Sequence, residues 1–182
     1  TAASVLIRPD GAAGYGGAAP LVAAAQAHGA PALIDSDAEA ARKLKADGVH
    51  LPLSRVPLEA CRAAREALRG SAIIGAEAGK SRHDAMSLGE AGVDYVSFGV
   101  PPDVKDIAGA RARRLDMVTW WAEIFEVPCV SFDVADADAA AVLVRAGADF
   151  IAVTLDAGLS AADTRGFVTD IAAALGAPQA AA

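Results

Sequence analysis

The sequence is poor in aromatic side chains, in sulfur and in positive charge. Its 182 residues include five Phe, two Tyr and two Trp, so aromatics make up 5% of the chain, and the formal net charge is -7. Proteins that hold nucleic acids neutralise phosphates with cations and stack bases on aromatic rings, and those that adhere to anionic membranes also need positive charge. Both classes are argued against here. No apolar run approaches the ~18 residues of a membrane-spanning helix. Two cysteines, Cys61 and Cys129, are too few for a disulfide framework, so a reducing cytoplasm is expected. No Cys/His spacing has the pattern of a zinc site. The start, Thr1-Ala2-Ala3, shows neither a signal-peptide pattern nor an initiator Met, and the expectation is that a preceding segment exists.

What the chain does have is apolar residues, at 54%, with alanine by far the commonest. That is enough for one domain over 1–182, ending in an alanine-rich tail from about 176. Short, mostly apolar runs predict strands at 4–8, 32–35, 48–51, 72–75, 95–98, 129–132 and 150–154. Alanine-rich stretches between them predict helices at 19–28, 37–45, 57–69, 82–91, 114–126, 136–146 and 161–175. Ser81, Asp136 and Ser160 stand where helix N-caps belong, and Gly29, Gly92 and Gly147 stand at helix stops. The glycine-rich stretch 11–20 reads as the least structured part. One motif repeats: Ala46-Asp47-Gly48-Val49, Val93-Asp94-Tyr95-Val96 and Ala148-Asp149-Phe150-Ile151 each leave a helix, place an Asp and begin a strand. The three Asp are 47 and 55 residues apart, about two βα units each.

Seven strands alternating with seven helices predict a parallel α/β fold. A doubly wound sheet and a (β/α)8 TIM barrel both fit the alternation. The barrel is favoured by the even repeat and by the lack of a Gly-x-Gly-x-x-Gly run after the first strand, although it needs one strand more than the seven counted.

In such folds chemistry gathers at the carboxyl ends of strands. The candidates there include Arg8 and Asp10; Asp35, Ser36 and Asp37; Pro52 and Arg55; Glu77 and Lys80 to His83; Asp103 and Lys105; Asp133 and Asp136; Thr154 and Asp156. Arg8 either forks onto an anionic ligand or pairs with Asp10 or Asp35. His50, inside the apolar run Val49-His50-Leu51, is either a satisfied core histidine or a site residue. Lys105 is either surface charge or a mobile lysine over a ligand. The turn after 129–132 carries Asp133, Asp136 and Asp138, whose charges disfavour a phosphate there. The repeated Asp47, Asp94 and Asp149 fall at the opposite strand ends and are expected to shape turns. Trp120-Trp121 reads as a buried helix stripe, with an exposed member marking a homodimer contact instead.

The runs Leu33-Ile34-Asp35-Ser36-Asp37, Asp47-Gly48-Val49-His50-Leu51, Gly92-Val93-Asp94-Tyr95-Val96-Ser97-Phe98-Gly99 and Gly147-Ala148-Asp149-Phe150-Ile151 together resemble the thiamine-phosphate synthase family, which includes thiazole tautomerases. The resemblance runs from about Ser4 to Leu175. It implies a single (β/α)8 barrel whose first strand is missing from this chain. It implies a transferase that joins a pyrimidine diphosphate to a thiazole phosphate with Mg²⁺. The family's Gln-Leu-Arg falls on Leu6-Ile7-Arg8 and its Asn-Asp-Arg on Asp35-Ser36-Asp37, so one metal carboxylate is replaced. The second metal carboxylate falls on Arg55, the strand histidine is kept as His50, and the serine after the family's fifth strand falls on Glu77. The loop lysine corresponds to Lys105, the Gly-Gly phosphate turn to Asp133-Val134, and the tautomerase histidine to Val100. The resemblance therefore implies Arg8, Asp35, His50, Lys105 and Asp133 as substrate-binding residues for a thiazole or pyrimidine phosphate. The substitutions imply an altered or lost transferase activity; the alternative is a non-catalytic barrel that binds a ligand or partner.

Overall fold

The computed structural model describes residues 2–54, 56–155 and 158–176. Arg55 and Asp156, two of the expected site positions, lie outside these residues, as does the tail from 177. The chain divides into two compact units, Thr1–Val96 and Ser97–Ala182.

The first unit contains β1 (Val5–Ile7), α1 (Ala18–Ala27), β2 (Ala32–Asp35), α2 (Ala38–Leu44), β3 (Gly48–Leu51), α3 (Pro57–Leu68), β4 (Ile73–Glu77), α4 (Arg82–Glu90) and the first residues of β5 (Tyr95–Phe98). Strands β1 to β4 pair in parallel in chain order, with Ile7 opposite Ile34, Ile34 opposite Val49 and Val49 opposite Ile74. These positions are buried, which is why each strand reads as a continuous apolar run. The second unit holds the rest of β5, then α5 (Ile107–Ile124), β6 (Cys129–Ser131), α6 (Ala137–Arg145), β7 (Phe150–Ile151) and α7 (Ala161–Gly176). Here β6 pairs in parallel with β7. Seven strands and the alternating order match the expectation; no eighth strand is present among the described residues. No helix among them is long and apolar enough to cross a membrane.

Local signals explain most boundaries. Ser81, Asp136 and Ser160 accept hydrogen bonds from backbone N–H groups three residues on, as N-caps do. Gly29, Gly92 and Gly147 have positive φ at helix ends. Two expectations are corrected. Helix α5 begins seven residues before the expected 114, because Asp106 caps the N–H of Gly109. Glycine at 109 makes the cap fit: a Cβ there would lie 2.0 Å from Asp106 Oδ2. The glycine-rich stretch is also ordered. Gly11–Ala13 form a 3-10 turn, Asp10 bridges to Gly14, and α1 begins at Ala18.

The repeated aspartates form one device three times. The N–H of Asp47 donates to Ala32 O and its Oδ2 accepts the N–H of Ala32, both at 2.8 Å. Asp94 does the same with Ile74, at 2.8 and 2.7 Å. Asp149 does it with Cys129, at 3.1 and 2.8 Å. Each aspartate latches the amino end of its own strand to that of the preceding strand. Asp94 also holds Arg65 at 3.0 Å. Asp94→Ala should lower stability by about 1–3 kcal/mol, since it orphans a buried strand N–H. Asp94→Asn, which keeps an acceptor oxygen, should cost less. Urea denaturation of the three chains checks the order; equal stability of Asp94→Ala and the native chain would refute the latch.

Candidate functional site

In the first unit, strand register places a row of polar side chains across the carboxyl ends of the strands. Asp35 lies opposite His50, and His50 lies opposite Gly75. Register partners point to the same face of a sheet. Arg8 follows Ile7, the partner of Ile34, and so arrives beside Asp35, with Nε 3.8 Å from Oδ2. At that length, with half of the Arg8 side chain exposed, the pair is a weak clasp that a ligand anion can replace. Tyr95 completes the row. Its ring lies over Gly75, where a Cβ would sit 1.9 Å from the ring, so this strand position requires glycine. The Tyr95 ring stacks on His50 with centroids 5.7 Å apart, and its hydroxyl lies 3.0 Å from His50 Nδ1.

Burial sets the charge states in this row. His50 is 5% exposed, and desolvation pushes its pKa down to about 4, with Asp35 opposing the shift. Imidazole is therefore neutral at pH 7. Burial, and secondarily the Asp35 carboxylate, push the Tyr95 phenol up, so it keeps its proton. Tyr15, from the glycine-rich stretch, donates its hydroxyl to the backbone oxygen of Asp35. That bond ties the stretch down beside the row.

The neighbouring candidates serve local structure. Ser36 has a φ of 67° and donates to Asp35 Oδ1 at 3.1 Å. Asp37 caps α2 through Ala40 N–H. Glu77 lies at the end of β4 and accepts from Gly79 N–H at 3.0 Å. Lys80, Arg82 and His83 are exposed.

Mg²⁺ takes a near-octahedral set of oxygens. Among the described residues no three His, Cys, Asp or Glu side chains converge as such a set would require. Asp35 faces a guanidinium, Ser36 hydrogen-bonds to Asp35, and the Asp37 carboxylate is used as a cap. The donors present do not fit a resident Mg²⁺.

In the second unit, Lys105 is exposed in the turn before α5. Asp133 has a φ of 58°, a region that favours glycine, and its Oδ2 accepts the N–H of Val100 at 2.8 Å. Behind it stands Arg114 of α5, only 6% exposed. Its Nη1 donates to the backbone oxygens of Phe132 and Asp133, the latter at 3.1 Å, while Nε has no hydrogen-bond partner among the described residues. Burial pulls the Arg114 pKa down and the Asp133 carboxylate opposes this. Beside Asp133 opens a hollow of about 180 Å³ with apolar walls from Val100, Pro101, Val104 and Ile107, and with Arg111 at its rim.

Sequence reasoning missed Tyr15, Tyr95 and Arg114. Tyr95 was taken for an apolar strand residue. The signal that marks it is the glycine at the matching position of the preceding strand, Gly75. Arg114 sits on the buried stripe Ala110, Arg114, Met117, Val118 and Trp121, where an arginine is out of place unless it holds something.

The alternating βα order, with polar side chains gathered after the strands, defines a parallel α/β protein of the kind that carries its ligands at the carboxyl ends of strands. Residues 10–156 match the thiamine monophosphate synthase family, and the chain belongs to that family. A thiamine-phosphate synthase from Erythrobacter litoralis is 41% identical over 162 residues, covering 86% of this chain and 74% of that protein. One from Hyphomonas neptunium is 42% identical over 138 residues, covering 75% of this chain and 60% of that protein. The chain thus spans about three-quarters and three-fifths of these relatives' lengths. Among solved structures, thiamine phosphate pyrophosphorylase from Pyrococcus furiosus is similar with a TM-score of 0.75 at 24% identity, covering 96% of this chain and 83% of that one. The 3-hexulose-6-phosphate synthase from Salmonella typhimurium is similar with a TM-score of 0.66 at 17% identity, over 94% of this chain and 86% of that one. At those identities the likeness concerns the fold.

Proposed function

We propose that the protein takes a thiazole phosphate or a pyrimidine phosphate of thiamine biosynthesis at the carboxyl ends of β1 to β3, and that its activity there is altered from metal-assisted displacement of diphosphate. The observation that carries this reading is the in-register row of Arg8, Asp35 and His50. Arg8 supplies a guanidinium fork for the anionic group. Asp35 supplies an acceptor for a ring amine. His50, neutral and buried in its stack with Tyr95, gives the row a rigid, desolvated backing beside Asp35. Lys105 and Asp133 are proposed as further ligand contacts within the second unit.

A second reading, an unaltered thiamine-phosphate synthase, is favoured by the names of relatives at 41 and 42% identity. A thiazole tautomerase is not favoured, because the position that would carry its proton-transferring histidine is Val100. The eight-stranded barrel and a single domain belong to the same proposal. They are supported by one family match that runs from residue 10 to residue 156.

Calorimetric titration with the thiazole phosphate and the pyrimidine diphosphate, each with and without Mg²⁺, tests the reading. Binding heat is expected for at least one of them, independent of Mg²⁺, with affinity weakened at least about tenfold in Arg8→Ala. No heat from either ligand would overturn the assignment. Thiamine phosphate formed on mixing both, and lost in Arg8→Ala, would establish the second reading instead.

A further inference from the structure

The first unit is almost without aromatic side chains. From residue 1 to residue 96 the sequence has no Phe and no Trp, and its two tyrosines, Tyr15 and Tyr95, both come to the carboxyl ends of the strands. Tyr95 is taken up by the protein itself: its ring covers Gly75 and stacks on His50. Tyr15 is held by its oxygen. Its hydroxyl donates to the backbone oxygen of Asp35, and the residue is half-buried. The chain before it supplies the hold. Asp10 N–H donates to Gly14 O at 2.8 Å, Ala13 N–H donates to Asp10 O at 2.9 Å, and Gly14 turns the chain with a φ of 56° that suits glycine. Residues 10–14 so close on themselves, and Tyr15 leaves the closed turn. The N–H of Ala18 donates to Tyr15 O at 3.0 Å and fixes its other side. Arg8 meets the same Asp35 through the carboxylate, with Nε 3.8 Å from Oδ2. One residue at the end of β2 thus gathers a guanidinium and a phenol. Burial first, then the carboxylates of Asp35 and Asp37, push the Tyr15 phenol up, so it stays neutral. The face of a neutral phenol ring is electron-rich and attracts planar rings that are electron-poor or cationic.

We propose that Tyr15 is a specificity-determining residue of the ligand site, its ring being the platform on which the planar heterocycle of the ligand stacks while Arg8 takes the anionic group. This rests on the ligand reading above and adds to it the contact that recognises the ring. A guanidinium selects an anion whatever the anion is attached to. A ring platform beside it selects anions that carry a flat heterocycle. The bond to Asp35 O sets the platform before the ligand arrives, so little side-chain freedom is lost on binding.

The test is calorimetric titration of the full chain with the thiazole phosphate, the pyrimidine diphosphate and, as a probe without a ring, inorganic diphosphate. Tyr15→Phe keeps the ring and loses the hydroxyl, and it should stay within about threefold of the native affinity for a ring-bearing ligand. Tyr15→Leu keeps an apolar side chain and loses the ring, and it should bind that ligand at least about fivefold more weakly. Its affinity for inorganic diphosphate should fall less. Equal affinities of the native chain and Tyr15→Leu overturn the proposal. So does a loss that Tyr15→Phe shares in full, or one that extends equally to inorganic diphosphate, since either assigns the effect to the tether of the turn. No binding of either heterocycle by the native chain overturns the ligand reading as well. Circular dichroism establishes which variants are folded. If Tyr15→Leu fails to fold, nitration of the native chain by tetranitromethane, located by peptide mass spectrometry, decides the matter. Tyr15 should be nitrated faster than Tyr95, and a ring-bearing ligand should slow it. A Tyr15 as inert as Tyr95, or nitrated equally fast with the ligand bound, overturns the proposal.

Discussion

Replacing Trp121 with alanine is expected to destabilise the protein by about 3–5 kcal/mol, most of the stability a small unit has to lose. Trp121 is fully buried. Its ring stacks on Phe125 with centroids 4.0 Å apart and meets Phe98 edge-on at 6.1 Å. The indole Nε1 donates to Val127 O at 2.7 Å, the point where the chain turns from α5 toward β6. Alanine removes the ring and leaves a cavity and a carbonyl without its donor. Trp121→Phe keeps much of the volume and loses the N–H, so it should cost about 1–3 kcal/mol. Guanidinium denaturation monitored by circular dichroism separates these values. A cost below about 1 kcal/mol for the alanine variant would show that the aromatic cluster does not hold this region.

Acidification should have the next largest effect, through His50. Its pKa is near 6.5 in an unfolded chain and about 4 in the fold. The unfolded state therefore binds the proton more readily, and stability falls as pH falls. The contribution is present in full above about pH 6.5 and is lost progressively down to about pH 4, for a total of about 3 kcal/mol. Tyr95, Asp35 and Arg8 are among the groups that face the imidazole. The phenol stays neutral throughout this range, so the imidazole is the group in the stack that changes charge. His50→Gln should flatten the pH dependence between 6.5 and 4 while leaving the slope below 4 in place. An unchanged slope in that variant would assign the effect to other groups. Stability measured by denaturation at half-unit pH steps gives the answer.

The sequence disclosed the frame more readily than the site, and the reason is physical. Strands such as Ala32–Asp35 and Gly48–Leu51 are short apolar runs between capped helices, and both lie where local pattern placed them. The latches at Asp47, Asp94 and Asp149 were visible as a repeat because their hydrogen bonds depend on a fixed position relative to a strand start. Site geometry depends on register between strands. Nothing near Tyr95 in the chain announces Gly75, and Asp35 is only one of two carboxylates the sequence offers Arg8 until the strands are laid side by side. The start of α5 was missed for a different reason: Gly109 has a poor helix propensity, but contact with the Asp106 cap outweighs it. In the sequence Asp133 stands out only through its charge, which disfavours a phosphate nearby. Its backbone angle and its bond to Val100 belong to the folded chain alone.

The aspartate latches sit at the amino ends of the strands, whereas Arg8, Asp35, Tyr15 and Asp133 sit beyond or at the carboxyl ends. Each end of a strand thus answers to a different demand. Substitutions at the carboxyl ends leave the aspartate latches untouched, so the chain can drift in chemistry without first surrendering its folding. This division of labour makes the scaffold evolvable: new chemistry can be sampled at one end of a strand while inheritance of the frame is secured at the other.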